Sequence, residues 1–541
     1  MTSLALDRCV NFIIALILCL VSPLLRAQTY TDLHDFNSTD GCCLLYPSML
    51  AQGQDGNIYG TVTNGGSLGG GDVFKMSPAG AFSVIYNFDG PHGEYPASGL
   101  SMGFDGNFYG STYQGGDNHF GTIFKVSPSG NYTLIYSFTN HGDGAYPKTP
   151  PVQAPDGNLY GATGNGTQYA LYKLTPSGTF SILASLVAQS YTPLLVGTDG
   201  NLYGMTVYGG TFNRGTVFQL AISGKKPKLK VIYNFGGTND GGSPYGPLTQ
   251  GSDGNLYGTT SAGGNASGGI VFKLSTKGKE TILYNFSTQN ESNGATPFAG
   301  VVQGSDGFLY GVASVGGGNG LGTLFKIDTA GKNLTVLHNF ATPTGDTPLS
   351  TPLLHSNGKI YGLTYHGGAK PSYGMIYSFD NGLSPFVSQF VYYSGKVGDT
   401  VNLLGQGFSN ATGVKFGTGA GSFVASTDAY MTATIETDDT TGKITVLEPG
   451  GNLTTPQTHK IIPTITGFKP PSGLVGTQVV ISGTSLKQTT TVTFGGVKAT
   501  TFSIDSDSQV TATVPTGAKT GKIKITTKGG SATSKANFTV Q

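Results

Sequence analysis

Two pairs of residues have the composition of a general acid and base: His92 with Glu94, and His141 with Asp143, each a titratable nitrogen two positions from a carboxylate. Near them in comparable segments lie Tyr113, His119 and Phe120, then Tyr208, Phe212 and Arg214, then Tyr365, His366 and Tyr373, with Asp240 as a further carboxylate. Aromatic faces mixed with hydrogen-bonding groups suit a glycan or a peptide ligand; the same residues could also brace glycine-rich loops and sit in water. No nucleophile motif accompanies the pairs: there is no Gly-x-Ser-x-Gly, no zinc-type His pair and no phosphate-binding glycine loop between strand and helix. Ligand binding is therefore the first reading, and no catalytic residue is assigned. A carbohydrate-active lyase or glycosidase, with acid and base drawn from separate segments, is the alternative. Asp55, Asp105, Asp156, Asp199, Asp253 and Asp306 recur in Asp-Gly pairs and resemble a ligand set. Their place in tight turns argues that each carboxylate accepts from its own backbone, and the spacing lacks the alternating oxygens of a calcium loop. Neither a metal nor a cofactor is expected.

The elements that must position these residues repeat. The turn motif falls at the six Asp-Gly pairs and, with one substitution, at Asn357-Gly358, in steps of 50, 51, 43, 54, 53 and 51 residues. Each of the seven copies divides into four strand-like pieces, as in "LTQGS", "LYGTT", "IVFKLS" and "KETILYNF" of the fifth. Asp-Gly and Ser-Pro-Ser-Gly supply the turns of two hairpins, and four antiparallel strands per copy make a propeller blade. The last copy lacks a fourth strand after "GMIYSF", whereas "YTDLHDF" at Tyr30 to Phe36 matches the outer strands "YTLIYSF" and "TVLHNF". The fold expected is all-β: a seven-bladed β-propeller over residues 28–383, closed by its N-terminal strand. Both hairpin turns fall on one rim, so the double-glycine loops and the connections between blades, which carry the His92, Tyr113, His141, Tyr208 and Tyr365 groups of residues, fall on the other.

Glycine, 86 of 541 residues, is about twice as frequent as usual, and the charged fraction of 11% is under half the usual ~25%. A formal net charge of +1 gives no electrostatic footprint for nucleic acid. Residues 1–27, an apolar run after Arg8 that contains Pro23 and ends at Ala27, read as a secretory signal, not as a retained transmembrane helix. Its removal leaves Cys42 and Cys43, an adjacent pair with the spacing of neither a disulfide scaffold nor a zinc site. The mature chain is read as a secreted or cell-surface monomer.

The combination Asp-Gly-Asn-x-Tyr-Gly, double glycine, Gly-Thr-x-Phe-Lys and (Leu/Ile)-Tyr-Asn-Phe resembles the GloVer tandem repeat of exported bacterial proteins, over roughly residues 28 to 383. Residues 384–541 contain a second duplication: "SGKVGDTVNLLGQGF" and "TGKITVLEPGG" align with "SGLVGTQVVISGTSL" and "TGKIKITTKGG". The halves, 384–461 and 462–541, resemble TIG/IPT immunoglobulin-like domains, which implies two small β-sandwiches. That resemblance implies a spacer or adhesion role for them, with the propeller as recognition head and the two sandwiches as stalk.

Overall fold

The computed structural model describes residues 28–541 apart from 38, 43–48, 97–98, 166–167, 224–225, 369–372 and 391–393. The segment 1–27 read as a signal, and Cys43 of the cysteine pair, lie outside the described residues. The described residues form strands and two short 3-10 turns, with no α-helix among them, and none of their helices is long and apolar enough to cross a membrane.

The repeat region forms seven sheets, one per copy of the turn motif. In repeat 1 the order from inner to outer strand is Ala51–Gln52, Ile58–Val62, Asp72–Met76 and Phe82–Asn87. The second and third strands are buried on both faces, which is why they do not alternate in hydrophobicity. A glycine in the second strand admits an aromatic ring from the third: a Cβ on Gly110 would lie 2.3 Å from the Phe124 ring, and one on Gly60 2.5 Å from Phe74. The recurring Tyr-Gly and Phe-Lys pairs are thus two halves of one contact. In repeats 3 and 7 the ring is Tyr172 or Tyr377, whose buried hydroxyl finds no hydrogen-bond partner among the described residues.

Neighbouring repeats share apolar clusters. Tyr203, Val217 and Phe235 of repeat 4 pack on Leu248, Leu256 and Phe272 of repeat 5, and the same relation joins repeats 6 and 7. It also joins repeat 7 to repeat 1, through Tyr361, Leu363 and Ile376 against Ile58, Val62 and Phe74. Inner-strand glutamines add a polar staple at several of these seams. Gln153, Gln250 and Gln303 accept from the backbone N–H of Phe104, Thr198 and Ser252, each in the preceding repeat. Gln52 of repeat 1 accepts in the same way from Ser356 N of repeat 7 (2.9 Å) and donates to Ser356 Oγ (2.7 Å). The N-terminal strand Thr29–Asp35 lies antiparallel to Met375–Asp380, with Tyr30 opposite Phe379, and is the outer strand of the repeat 7 sheet. Phe36 follows it into the cluster between repeats 7 and 1.

Beyond the repeats, residues 388–454 contribute one continuous seven-stranded sheet, in which Gly419–Thr427 pairs with Tyr430–Thr434 on one side and with Gly413–Phe416 on the other. It wraps a core that includes Val401, Leu403, Phe416, Met431 and Val446. Residues 464–540 form two separate sheets around Val479, Ile481, Val492, Phe494, Ile523 and Phe538. The two segments meet through Gln488, whose Oε1 accepts from Thr441 N (2.9 Å).

Candidate functional site

The two rims of the repeat region differ in what covers them. On the rim of the Asp-Gly turns, Thr427 Oγ1 donates to Gln54 O (2.6 Å), Gln406 Nε2 donates to Ser356 Oγ (3.0 Å), and Ser356 Oγ donates to Gly405 O (2.9 Å). Leu404 and Tyr430 enter the apolar cluster of Tyr59, Leu100 and Phe108. Residues 384–461 therefore sit on this rim over repeats 1, 2 and 7. They also close a cavity of about 280 Å³ that is lined by inner strands of repeats 1, 5, 6 and 7, with Phe386, Ser388, Pro456 and Gln457 as its far wall.

The turn aspartates are satisfied within this rim. Asp253 Oδ1 accepts from Asn255 N (3.0 Å), and its Oδ2 accepts from Asn255 Nδ2 (2.8 Å), Tyr257 Oη (2.8 Å) and Lys273 Nζ (2.7 Å). Asp55 and Asp156 hold the same four donors. Burial pushes the Asp253 carboxyl up, but donation from Lys273, Asn255 and Tyr257 outweighs it and holds the group at about 2. The residues Asp, Asn, Tyr and Lys of the repeat motif are one hydrogen-bonded knot.

On the opposite rim the double-glycine loops are held from the outer strand: Asn87, Asn234, Asn285 and Asn339 each accept at Oδ1 from a loop N–H, those of Ser67, Thr211, Asn265 and Gly318. The candidate residues lie here and divide into two groups. Several serve their own loops. His92 Nδ1 donates to Asp89 Oδ2 (2.8 Å) while Glu94 sits in a strand opposite Gln114, so the two do not form an acid–base pair. Asp143 accepts from Tyr136 Oη (2.9 Å) and Thr139 N (2.8 Å), and His141 donates from Nδ1 to Thr139 O (2.7 Å). His366 Nδ1 lies 3.5 Å from Asp346 Oδ1, with Tyr365 edge-on beside its ring. His119 is exposed with φ 62°. Asp240 accepts from Tyr233 Oη, Gly236 N and Gly241 N.

Tyr113, Tyr208 and Arg214 belong to the second group, and the residues beside them were not singled out by sequence. Lys148, Tyr191, Tyr245, Phe298 and Leu349 each stand five residues before the last inner-strand residue of repeats 3 to 7, namely Gln153, Val196, Gln250, Gln303 and Leu354. Consecutive members touch from Lys148 to Phe298. Lys148 Nζ lies 4.3 Å from the Tyr191 ring centroid and donates to its hydroxyl (3.0 Å). Tyr191 meets Tyr245 at 5.4 Å, and Tyr245 meets Phe298 at 5.2 Å. Tyr113 closes on Lys148 from the other side (5.3 Å) and on Tyr146 (5.1 Å), while the Tyr208 and Tyr245 hydroxyls are 3.3 Å apart. Tyr208 and Phe212 are about half exposed (48% and 53%). Burial lowers the Lys148 ammonium to about 8 and raises the Tyr191 and Tyr245 phenols, which stay protonated donors at neutral pH.

The backbone that aims this set is strained in a repeated way. Tyr95, Tyr146, Ser243, Thr296 and Thr347 have φ between 51° and 56°, and each precedes a proline. A non-glycine residue in the left-handed region costs on the order of 1–3 kcal/mol and persists only where the surroundings hold it. Here each N–H donates to a loop carbonyl of the preceding repeat: Gly70, Phe120, Arg214, Gly268 and Leu321. The chain is clamped, turned, and then delivered to the start of the inner strand, where Lys148, Tyr245, Phe298 and Leu349 follow the proline. The signal for these positions is their fixed offset from the inner strand, and their differing side chains hide it.

No curated protein matches the chain. Among solved structures, a fungal alcohol oxidase of the AA5 family in complex with copper aligns at 13% identity and TM-score 0.44, covering 94% of this chain and 98% of that one. TolB from Acinetobacter baumannii aligns at 15% and 0.33, covering 52% and 63%, and a surface glycan-binding protein from Prevotella bryantii at 13% and 0.23, covering 28% and 41%. None of these likenesses assigns an activity or a ligand to this chain. The IPT/TIG domain model matches residues 463–540. The Gloeobacter/Verrucomicrobia repeat model matches residues 21–193, 152–299 and 287–496, more than half of the sequence, and the chain belongs to that repeat family.

Proposed function

We propose that this is an exported binding protein whose seven repeats are the blades of a closed β-propeller and whose double-glycine rim recognises a glycan. Residues 384–461 and 462–541 act as an immunoglobulin-like stalk that leaves from the opposite rim, and the mature chain begins near Gln28 in an extracellular or cell-surface setting. The observation that carries the reading is the contact series Tyr191, Tyr245 and Phe298 at the start of three successive inner strands, flanked by half-exposed Tyr208, whose hydroxyl lies 3.3 Å from that of Tyr245. Flat aromatic faces with neutral hydroxyls at their edges pack on the apolar face of a sugar ring and bond its hydroxyls, at little conformational cost because the side chains have few torsions. At the described positions of this set there is a lysine, two tyrosines, a phenylalanine and a leucine, a composition that suits binding.

The test is a screen of the secreted protein on oligosaccharide and peptide arrays, with hits followed by calorimetry on the Tyr191→Ala and Tyr245→Ala variants. The expected result is an oligosaccharide whose binding falls by about tenfold or more in each variant, with the melting temperature kept. Binding to peptides alone, or oligosaccharide binding indifferent to both substitutions, would overturn the reading. N-terminal sequencing of the secreted material checks the start near Gln28.

A further inference from the structure

We propose that the rim over repeats 3 to 5 selects acidic glycans, with Lys148 receiving the anionic group beside the rings of Tyr113 and Tyr191 and Arg214 supplying a second cation on the loop that carries Tyr208. This rests on the glycan-binding reading of the same rim and names the ligand class.

Lys148 takes the position that Tyr191, Tyr245 and Phe298 take in the next three repeats, so a cation replaces an aromatic ring at one end of the platform. Its ammonium sits between two tyrosine rings, 4.3 Å from the centroid of Tyr191 and 5.3 Å from that of Tyr113, in a residue only 8% exposed. Ring faces attract a cation while burial disfavours its charge, and the group is held at about 8. An arriving anion favours the charged form, so the affinity for an acidic ligand includes the recovery of that penalty. Arg214 is exposed, with its side chain against Gly236 and Gly242.

Three nearby carboxylates are engaged by the protein's own donors. Asp143 accepts from Tyr136 and Thr139, Asp240 from Tyr233, Gly236 and Gly241, and Glu280 from Tyr233 (2.6 Å). Beside Lys148 and Arg214 the rim thus offers a ligand cations and aromatic faces, with Asp117 the exposed carboxylate on the loop that carries Tyr113. A sugar that stacks on Tyr191 or Tyr245 and carries a carboxylate or sulfate at its edge satisfies both. Those two anions share the chemistry, and the assay separates them.

The experiment uses the full secreted chain and three oligosaccharide series of matched length: uronate, sulfated and neutral. Calorimetry should find one acidic series bound at least about tenfold tighter than the neutral one, and whichever series wins identifies the anion. The preference should vanish in Lys148→Met, persist in Lys148→Arg, weaken in Arg214→Met, and stay unchanged in Lys228→Met on the exposed outer strand of repeat 4. It should also shrink as sodium chloride rises, a measurement that needs no variant. Equal binding of all three series, lost in Tyr191→Ala, would overturn the acidic selection and leave the aromatic platform standing. A preference that survives Lys148→Met, or is indifferent to salt, would overturn it as well. Binding of no series would bring down both readings.

Discussion

The two rims of the repeat region are built from the same strands and do opposite things with them. On the Asp-Gly rim one residue set recurs with the same partners: Asp55, Asp156 and Asp253 each hold an asparagine, a tyrosine and a lysine. Residues 384–461 rest on this rim over repeats 1, 2 and 7. On the other rim the backbone recurs and the side chains do not. Five residues share one strained φ; after the last four of them come Lys148, Tyr245, Phe298 and Leu349, with Tyr191 at the matching place in repeat 4. The lesson is that recurrence in side chain marks what holds the scaffold, whereas recurrence in backbone alone marks where it presents different chemistry.

Opening the ring on which both rims stand gives the largest effect. The strand Thr29–Asp35 pairs with Met375–Asp380, Phe36 is buried beside Phe74, and Tyr30 stacks on His338 at 3.9 Å. Deleting residues 28–36 removes several ladder hydrogen bonds at about 1 kcal/mol each and the burial of Phe36 at ~1.5–3 kcal/mol. It also bares the edge of Met375–Asp380 to pairing with other chains. The expected outcome is a melting temperature lower by ten degrees or more, on the order of 4–8 °C per kcal/mol for a small cooperative unit and less for a larger one, together with aggregation. A propeller transition that does not move would mean that the N-terminal strand is not needed to hold repeats 7 and 1 together.

Next in size is the staple at the same seam. Gln52→Ala leaves Ser356 N without its acceptor in a buried place, at a cost of about 1–3 kcal/mol. Gln250→Ala, at the seam between repeats 4 and 5, should cost a similar amount because Thr198 N loses the same acceptor. Denaturant midpoints of the two variants decide it. A Gln52 effect much smaller than that of Gln250 would single out the closing seam as looser than the others.

Sequence made the scaffold rim legible because its residues recur at fixed offsets. Asp-Gly marks the hairpin, and the match of "YTDLHDF" to the other outer strands points to the strand that pairs with residues 375–380. The turn aspartates are engaged locally, as their position in the turns suggested. The presenting rim was legible only as a region. His92 and Glu94 are two apart in the chain, yet one turns to Asp89 and the other enters a strand beside Gln114. Lys148, Tyr191, Tyr245 and Phe298 are far apart in the chain and differ in type; a clamped left-handed residue before proline precedes Lys148, Tyr245 and Phe298, and Tyr191 reaches the matching place without one. Tyr113, Tyr208 and Arg214 were found because loop aromatics and charges draw attention by type; their neighbours were missed because only position relates them.

A smaller effect tests the knot of the scaffold rim. In Asp253→Asn the Lys273 and Tyr257 donors lose a charged acceptor. The turn is exposed, so solvent screening keeps the loss to about 1 kcal/mol. The pH dependence has a definite sign. The carboxyl is held at about 2 in the folded chain, below its ordinary 3.8. Its contribution is therefore complete above that ordinary value and is lost as pH falls from about 4 through about 2. Urea midpoints of the parent should drop relative to Asp253→Asn over that window, with the difference flat from pH 5 upward. A difference that grows at neutral pH would mean that the knot is held by something other than the ionised carboxylate.

The smallest effect on stability is expected where the effect on binding is largest. Tyr208 and Phe212 stand on the loop after the second strand of repeat 4, about half exposed, and among the described residues the Tyr208 hydroxyl reaches the Tyr245 hydroxyl at 3.3 Å. The loop itself is held by others: Asn213 Oδ1 accepts from Gly209 N and Asn234 Oδ1 from Thr211 N. Replacing both aromatic residues with serine therefore removes apolar surface that folding leaves in water, and the change in stability should stay within about 0.5 kcal/mol. If the rim serves only to carry its own loops, nothing else will change. If it presents a ligand face, the double variant keeps its melting temperature and loses affinity for the array hit. A double variant that melts well below the parent would show that these rings are structural braces and would erase the difference between the two rims at this repeat.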